Sequence, residues 1–331
     1  MPQVKPVIAP SIASPILSLD CAAAARQIES FLIQTTGRQL HRRGLVLGVS
    51  GGIDSAVCAT LAARALGPDR VFALLMPERD SSDEATQRAL RLCDHLGVRH
   101  VIEDISPTLE GIGCYRRRDE AIRQAFPDFQ TDWRQKIVIN VSDDDLIPHF
   151  SIVVQNPAGE TFTKRMPTEA YLQVVASTNF KQRIRKTLEY YHAERQNYAV
   201  IGTPNRLEYE LGFFVRGGDG LADVKPIAHL YKTQVYALAE YLGVAEEICR
   251  QPPSTDTYSL PQTQEEFYFA LSYDRADIVL HAMNNGVPPE EVAPSLGMTA
   301  SQMKRVFRDF EGKQRVAERS LRNALVIGEP V

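Results

Sequence analysis

Apolar residues recur at three- and four-residue intervals through LDCAAAARQIESFLIQ, residues 19–34, which predicts an amphipathic helix with Asp20 as its N-cap. The pattern then changes. GLVLGV, residues 44–49, is a short unbroken apolar run of the kind shown by a strand covered on both faces of a parallel sheet. A polar turn, SGGIDS, leads from it into the helix-compatible AVCATLAARALG, which ends at Gly67. RVFALLM (70–76) predicts a second strand, SSDEATQRALRLCDHLG (81–97) a capped helix, and RHVIEDI (99–105) a third strand. This alternation predicts an α/β fold, a doubly wound, mostly parallel sheet with right-handed crossovers.

The middle of the chain is less regular. Residues 107–135 read as helical, with Arg116, Arg117 and Arg118 as a solvated face, and KIVINV and FSIVVQ predict a β-hairpin insertion over 136–166. NFKQRIRKTLEYYHAERQ (179–196) predicts a helix, NYAVIGT (197–203) a fourth buried strand and TQVYALAEYLG (233–243) a further helix. The expected division is an N-terminal extension over 1–18, an α/β domain over 19–250, and a Pro- and Thr-rich loop with a C-terminal helical segment over 251–331.

Composition narrows the functional classes. The 331 residues carry 37 Lys+Arg against 41 Asp+Glu, a net charge of −4, which argues against a protein devoted to nucleic acid or to an anionic membrane. The five cysteines are scattered and contain no C-x-x-C pair, so neither a disulfide framework nor a structural zinc site is expected. Pro6, Pro10 and Pro15 break the N-terminal apolar residues, and no run reaches the roughly 18 to 20 apolar residues of a membrane span. A cytoplasmic protein is expected.

The sharpest chemical signal is Ser50-Gly51-Gly52-Ile53-Asp54-Ser55, set between a predicted strand and a predicted helix. Glycines there let backbone N–H groups approach an anion, the helix start adds unsatisfied donors and its positive dipole end, and Ser50 and Ser55 add hydroxyls. Such a loop cradles phosphate. It is neither a Walker loop, which needs a Lys after the second Gly, nor a G-x-G-x-x-G dinucleotide turn. Asp54 would repel phosphate unless a cation lay between them, which predicts Mg²⁺.

SGGIDS resembles the pyrophosphate-binding loop of the ATP pyrophosphatases, and IGTPNRLEYELGFFVRGGDGLADVKPIAHLYKTQVYALAEYLGV (201–244) is similar to the corresponding block of NAD synthetases. NFKQRIRKT, LLMPERDSS and QPPSTDTYSLPQTQEE extend the likeness over about residues 20–320. The resemblance implies an adenine nucleotide alpha-hydrolase-like fold and a two-step reaction. A carboxylate attacks the α-phosphate of ATP and releases pyrophosphate, and ammonia then displaces AMP to leave an amide. The implied acceptor is nicotinic acid adenine dinucleotide (deamido-NAD), or alternatively a different carboxylate.

The same resemblance assigns residues. Asp54 and Glu208 would hold Mg²⁺, and Lys232 would place a positive charge on the phosphates. Gly51, Gly52, Ile53, Ser50, Ser55, Met76, Arg183 and Thr203 would complete the ATP site, with Asn179, Phe213, Asp219 and Asp223 around the acceptor. Pro204, Arg216-Gly217 and the 136–166 segment depart from the family pattern, two of the three on the acceptor side. A homodimer is implied, and a chain of 331 residues leaves no room for the glutamine-hydrolysing domain that some relatives carry. A reading of a different class comes from PPEEVAPSLGMTASQMKRVFRDF (288–310), whose spacing fits either a DNA-binding helix-turn-helix or two packed helices; the second is favoured.

Overall fold

The computed structural model describes residues 15–140, 149–251, 258–261, 268, 271–325 and 327–328. Helix α1 (Cys21–Gln34) begins at Asp20, whose carboxylate accepts the Ala23 N–H at 2.9 Å. Strand β1 (Leu45–Gly48), helix α2 (Ile53–Leu66), strand β2 (Val71–Leu75), helix α3 (Asp83–Leu96) and strand β3 (Arg99–Ile102) then alternate as the pattern predicts. Two short helices, α4 (Ser106–Gly111) and α5 (Cys114–Arg123), lead to the antiparallel strands β4 (Arg134–Asn140), β5 (His149–Gln155) and β6 (Thr161–Arg165). Helix α6 (Thr168–Gln196) returns the chain to strand β7 (Ala199–Val200), followed by α7 (Arg206–Leu211), α8 (Lys232–Tyr241) and α9 (Glu246–Cys249). Helices α10 (Tyr273–Asn284), α11 (Pro289–Val292) and α12 (Ala300–Leu321) end the described fold.

The parallel sheet has the order β3-β2-β1-β7, with Leu45 facing Val71 on one side and Ala199 on the other. Successive side chains of a strand point to opposite faces, and here both faces are covered. Leu45, Leu47, Val71, Ala73 and Ala199 enter one core with α1, α2, α3 and α8, while Val46, Leu74 and Val200 enter another with α4, α5 and α6. That double burial is why the strands read as continuous apolar runs. The order reverses at β1: β2 lies on one side of it and β7 on the other, and the carboxyl ends of β1 and β7 flank the crevice where such sheets bind ligands.

Several expectations are corrected by tertiary packing. Residues 124–133 are not helical, and Arg134 already begins a strand. Arg118 is no part of a solvated face: it is 3% exposed and bonds Asp80 and Asp119 at 2.8 Å, whereas Arg116 is exposed. The helical turn of about 100° per residue puts Arg118 on the same inward side as Tyr115 and Ile122. Helix α6 starts eleven residues before Asn179, through a stretch containing Val174, Val175 and Thr178 with poor intrinsic helix propensity. Burial of Ala170 and Val174 against Ile137, Ile152 and Val154 supplies what propensity does not. The segment read as a hairpin is a three-stranded antiparallel sheet, β4-β5-β6.

The C-terminal helices build their own core on α7 and the start of α8: Met303, Phe307 and Phe310 meet Leu207, Leu211, Tyr231 and Leu280. The stretch with helix-turn-helix spacing is therefore a pair of packed helices, turning at Gly297, and its Lys304 pairs with Glu290 at 2.6 Å. Among the described residues, no helix is long and apolar enough to cross a membrane.

Candidate active site

The site begins where β1 ends. Gly51 holds φ at +80°, and a Cβ there would lie 2.3 Å from the Ala85 carbonyl oxygen, so the turn requires glycine on both counts. The serines lock the loop internally: the Ser55 hydroxyl donates to the Gly52 carbonyl at 2.9 Å and accepts the Ser50 N–H at 3.3 Å. The Gly52 N–H donates to Ser50 Oγ at 3.3 Å. A rigid loop thus delivers the amino end of the fourteen-residue α2, with its unsatisfied N–H groups, to the crevice.

Asp54, in the first turn of α2, gathers residues from distant elements. Its Oδ2 takes the Lys232 ammonium and its Oδ1 accepts Asn205 Nδ2 at 3.2 Å. Asn205 caps α7 through a reciprocal box in which its backbone N–H donates to Glu208 Oε2 at 3.1 Å and its side chain accepts the Glu208 N–H at 3.2 Å. Asn205 therefore ties Asp54 to Glu208. Lys232 opens α8 and is wholly buried; burial works against its charge, but Asp54 and Glu208 outweigh that and raise its pKa. Glu208 is pushed up to about 8, first by burial and next by the charge of Asp54.

Around this cluster lies a cavity of about 1580 Å³. It is lined by Ser50, Gly51, Gly52, Ile53, Asp54 and Ser55, by Met76 at the end of β2, and by Thr203 just past β7. Asn179, Glu208, Phe213, Asp219 and Lys232 line it too. Two residues singled out from sequence stand apart. Arg183 turns its guanidinium to the Arg216 carbonyl at 3.2 Å and is not in the lining, whereas Arg185 lines the cavity and donates to the Met76 carbonyl at 3.2 Å. Asp223 accepts the Val200 N–H at 2.7 Å and the Tyr190 hydroxyl at 3.3 Å, closing the sheet edge instead of facing the cavity.

Other lining groups escaped sequence reading. Lys186 and Glu189, paired at 2.5 Å, are buried on α6 beside Gly48, where a Cβ would stand 3.0 Å from Glu189 Oε1. Asp80 lines the rim inside a buried network with Lys181 and Arg118, each contact 2.8 Å. Asn205, which stands behind the lining and ties Asp54 to Glu208, left a local signal, the N-x-x-E spacing of a capping box. Among the described residues no three His, Cys, Asp or Glu side chains gather as a metal cage.

A doubly wound sheet with a glycine turn opening a helix at its switch point, and a carboxylate–lysine cluster beside it, has the architecture of a nucleotide-binding α/β protein outside the Walker class. The NAD synthase family model matches residues 24–143 and 136–315, and the chain belongs to that family. It is 54% identical over 300 residues to the NH(3)-dependent NAD(+) synthetase of Rhizobium meliloti (strain 1021), covering 90% of each chain. Among solved structures, the NMN synthetase from Francisella tularensis matches with a TM-score of 0.65 at 23% identity, covering 94% of this chain and 100% of that one. The NH3-dependent NAD synthetase from Campylobacter jejuni matches at 0.62 and 24%, with the same coverage. At these identities the two structures speak to the fold alone.

Proposed function

We propose that this chain is an ammonia-dependent NAD synthetase: it adenylates the carboxylate of deamido-NAD with ATP, releases pyrophosphate, and lets ammonia displace AMP to form NAD. The observation that carries the reading is the meeting of Asp54, Glu208 and Lys232 in one cavity at the Ser50–Ser55 loop. The family membership and the relative at 54% identity support deamido-NAD over a different carboxylate as acceptor.

The loop and the amino end of α2 hold the phosphates of ATP. Lys232, fixed on its stem and fully charged, faces the charge that grows on the departing pyrophosphate. Burial and the neighbouring Asp54 charge make the Glu208 carboxylate costly to ionise, and a divalent cation held by Asp54 and Glu208 would offset that cost, so the residues fit Mg²⁺. When bound, Mg²⁺ supplies charge neutralisation on the phosphate oxygens. Such a site takes one or two carboxylates plus substrate oxygens, which agrees with the lack of an all-protein cage among the described residues. Arg185 and Met76 line the cavity and would serve the nucleoside of ATP, and Phe213 and Asp219, which line it too, would serve the acceptor. The reaction needs no covalent enzyme intermediate; positioning and charge account for it. The family resemblance also supports a cytoplasmic homodimer.

Pyrophosphate release with ATP, Mg²⁺, ammonium and deamido-NAD tests the reading. The native chain turns over, and Asp54→Ala lowers kcat by about 100-fold or more. Turnover unchanged in Asp54→Ala removes the metal assignment; no turnover of deamido-NAD by a folded, ATP-binding chain removes the acceptor.

A further inference from the structure

The segment between β2 and α3, residues 76–82, carries little that could order it by itself. After Met76 and Pro77 it runs Glu78-Arg79-Asp80-Ser81-Ser82, with no apolar side chain to bury. Yet Met76, Pro77, Asp80, Ser81 and Ser82 all line the cavity. A polar stretch recovers the entropy lost on ordering only through bonds to other elements.

Those bonds come from α5 and α6. The turn closes on itself, with the Ser81 N–H donating to the Glu78 carbonyl at 2.8 Å and the Glu78 N–H to Ser81 Oγ at 3.1 Å. Glu78 and Asp80 are thereby buried, while the more exposed Arg79 lies over the Tyr115 ring, 3.7 Å from its centroid. Lys181 of α6, itself 1% exposed, bonds Glu78 Oε1 and Asp80 Oδ2, each at 2.8 Å. Arg118 of α5 donates to the same Asp80 Oδ2 at 2.8 Å and to Asp119 Oδ1 at 2.9 Å. The Tyr115 hydroxyl donates to Glu78 Oε2 at 2.8 Å. One turn along α6 from Lys181, Arg185 donates to the Met76 carbonyl, so the segment is gripped at its start and again at its middle.

Buried ion pairs add little net stability, because desolvation offsets most of their attraction; what they can supply is one defined geometry. Burial works against the charge of Asp80, but Lys181 and Arg118 outweigh it and hold its carboxyl below the ordinary value, so the clamp is ionised at neutral pH. Arg118 reaches the segment from behind, since it is not in the cavity lining and acts on the wall only through Asp80. We propose that Arg118 is a positioning residue of the ATP site: together with Lys181 it clamps Glu78 and Asp80, and so sets Met76–Ser82 in the shape that receives ATP before ATP arrives. The proposal rests on the reading that this cavity takes ATP beside Met76.

The test uses the full chain with three changes. Arg118→Gln removes the cation, Arg118→Gln/Asp119→Asn removes one buried charge of each sign, and Arg118→Lys keeps a cation beside Asp80. The paired variant carries the measurement if Arg118→Gln alone does not fold. A segment left in its binding shape about one-tenth of the time loses about ten-fold in apparent affinity, so both glutamine variants raise the KM for ATP about ten-fold. Their kcat at saturating ATP and their KM for deamido-NAD stay within about two-fold of native, and Arg118→Lys recovers most of the loss. Without ATP, hydrogen exchange quickens in peptides spanning 76–82 but not in those of β1, and saturating ATP reverses the change. A native KM for ATP in both glutamine variants overturns the clamp, as does a fall in kcat with KM unchanged. Exchange that quickens through β1 as well, or an Arg118→Lys variant no better than Arg118→Gln, overturns it too. If the native chain binds ATP more tightly than the glutamine variants but does not turn over deamido-NAD, the clamp stands and the proposed reaction fails. If it turns over deamido-NAD with no dependence on Arg118, the reaction stands and the clamp fails. A native chain that binds no ATP removes both.

Discussion

Lys232 has no exposed surface, yet it keeps its proton because Asp54 and Glu208 face it from two other helices. A buried charge is tolerated only with such partners, and removing one member leaves the others uncompensated. Side-chain direction matters as much at the next pair of residues. Arg183 and Arg185 are two positions apart on α6 and so point about 200° apart around the helix, which is why one reaches the Arg216 carbonyl and the other the cavity. Arg185→Ala is expected to raise the KM for ATP about ten-fold, while Arg183→Ala leaves it within about two-fold. Initial rates at saturating ammonium check this, and the reverse pattern would favour Arg183, the residue assigned from sequence.

At the scale of elements, α8 presents Lys232 because its amino end is held by another helix. Asp277 of α10 accepts the N–H groups of Lys232 and Thr233 at 3.2 and 2.8 Å. Burial raises the pKa of Asp277 to about 6, against the lowering effect of those same N–H groups. A carboxyl that holds its proton more tightly folded than unfolded stabilises the fold fully below its unfolded value, near 3.9, and loses that contribution as pH rises through about 6. Urea midpoints should therefore show native protein gaining least over Asp277→Asn above pH 6 and most below about pH 4. A difference that does not change with pH would show that Asp277 titrates alike in both states. The sequence announced α8 by periodicity but gave no sign of Asp277, because a cap donated from 44 residues away has no local spacing. The first eleven residues of α6 were hidden for a related reason: their stability comes from the facing sheet, not from the helix.

Over the whole molecule, two cores sandwich the parallel sheet, and cysteines report on both. Cys58 and Cys93 lie in one core and Cys114 in the other. Burial pushes Cys93 up to about 12, Cys114 up to about 11, and Cys58 well above its ordinary value. A thiol that is both covered and protonated does not react. With Ellman's reagent at pH 8, the native chain should release at most two equivalents rapidly, from the half-buried Cys21 and Cys249, and five after unfolding in denaturant. Rapid reaction of a third thiol would mean that one face of the sheet is open.

Periodicity and turn chemistry by themselves determined the alternation of strands and helices and the glycine turn before α2, because each depends on neighbours in the chain. Only the tertiary structure decided that Asp54 meets Lys232, 178 residues away, that Arg118 is buried, and that Arg185 faces the cavity. A local pattern states which face of an element must be covered; it does not state which element covers it, and charges read as solvated until their distant partners are in place.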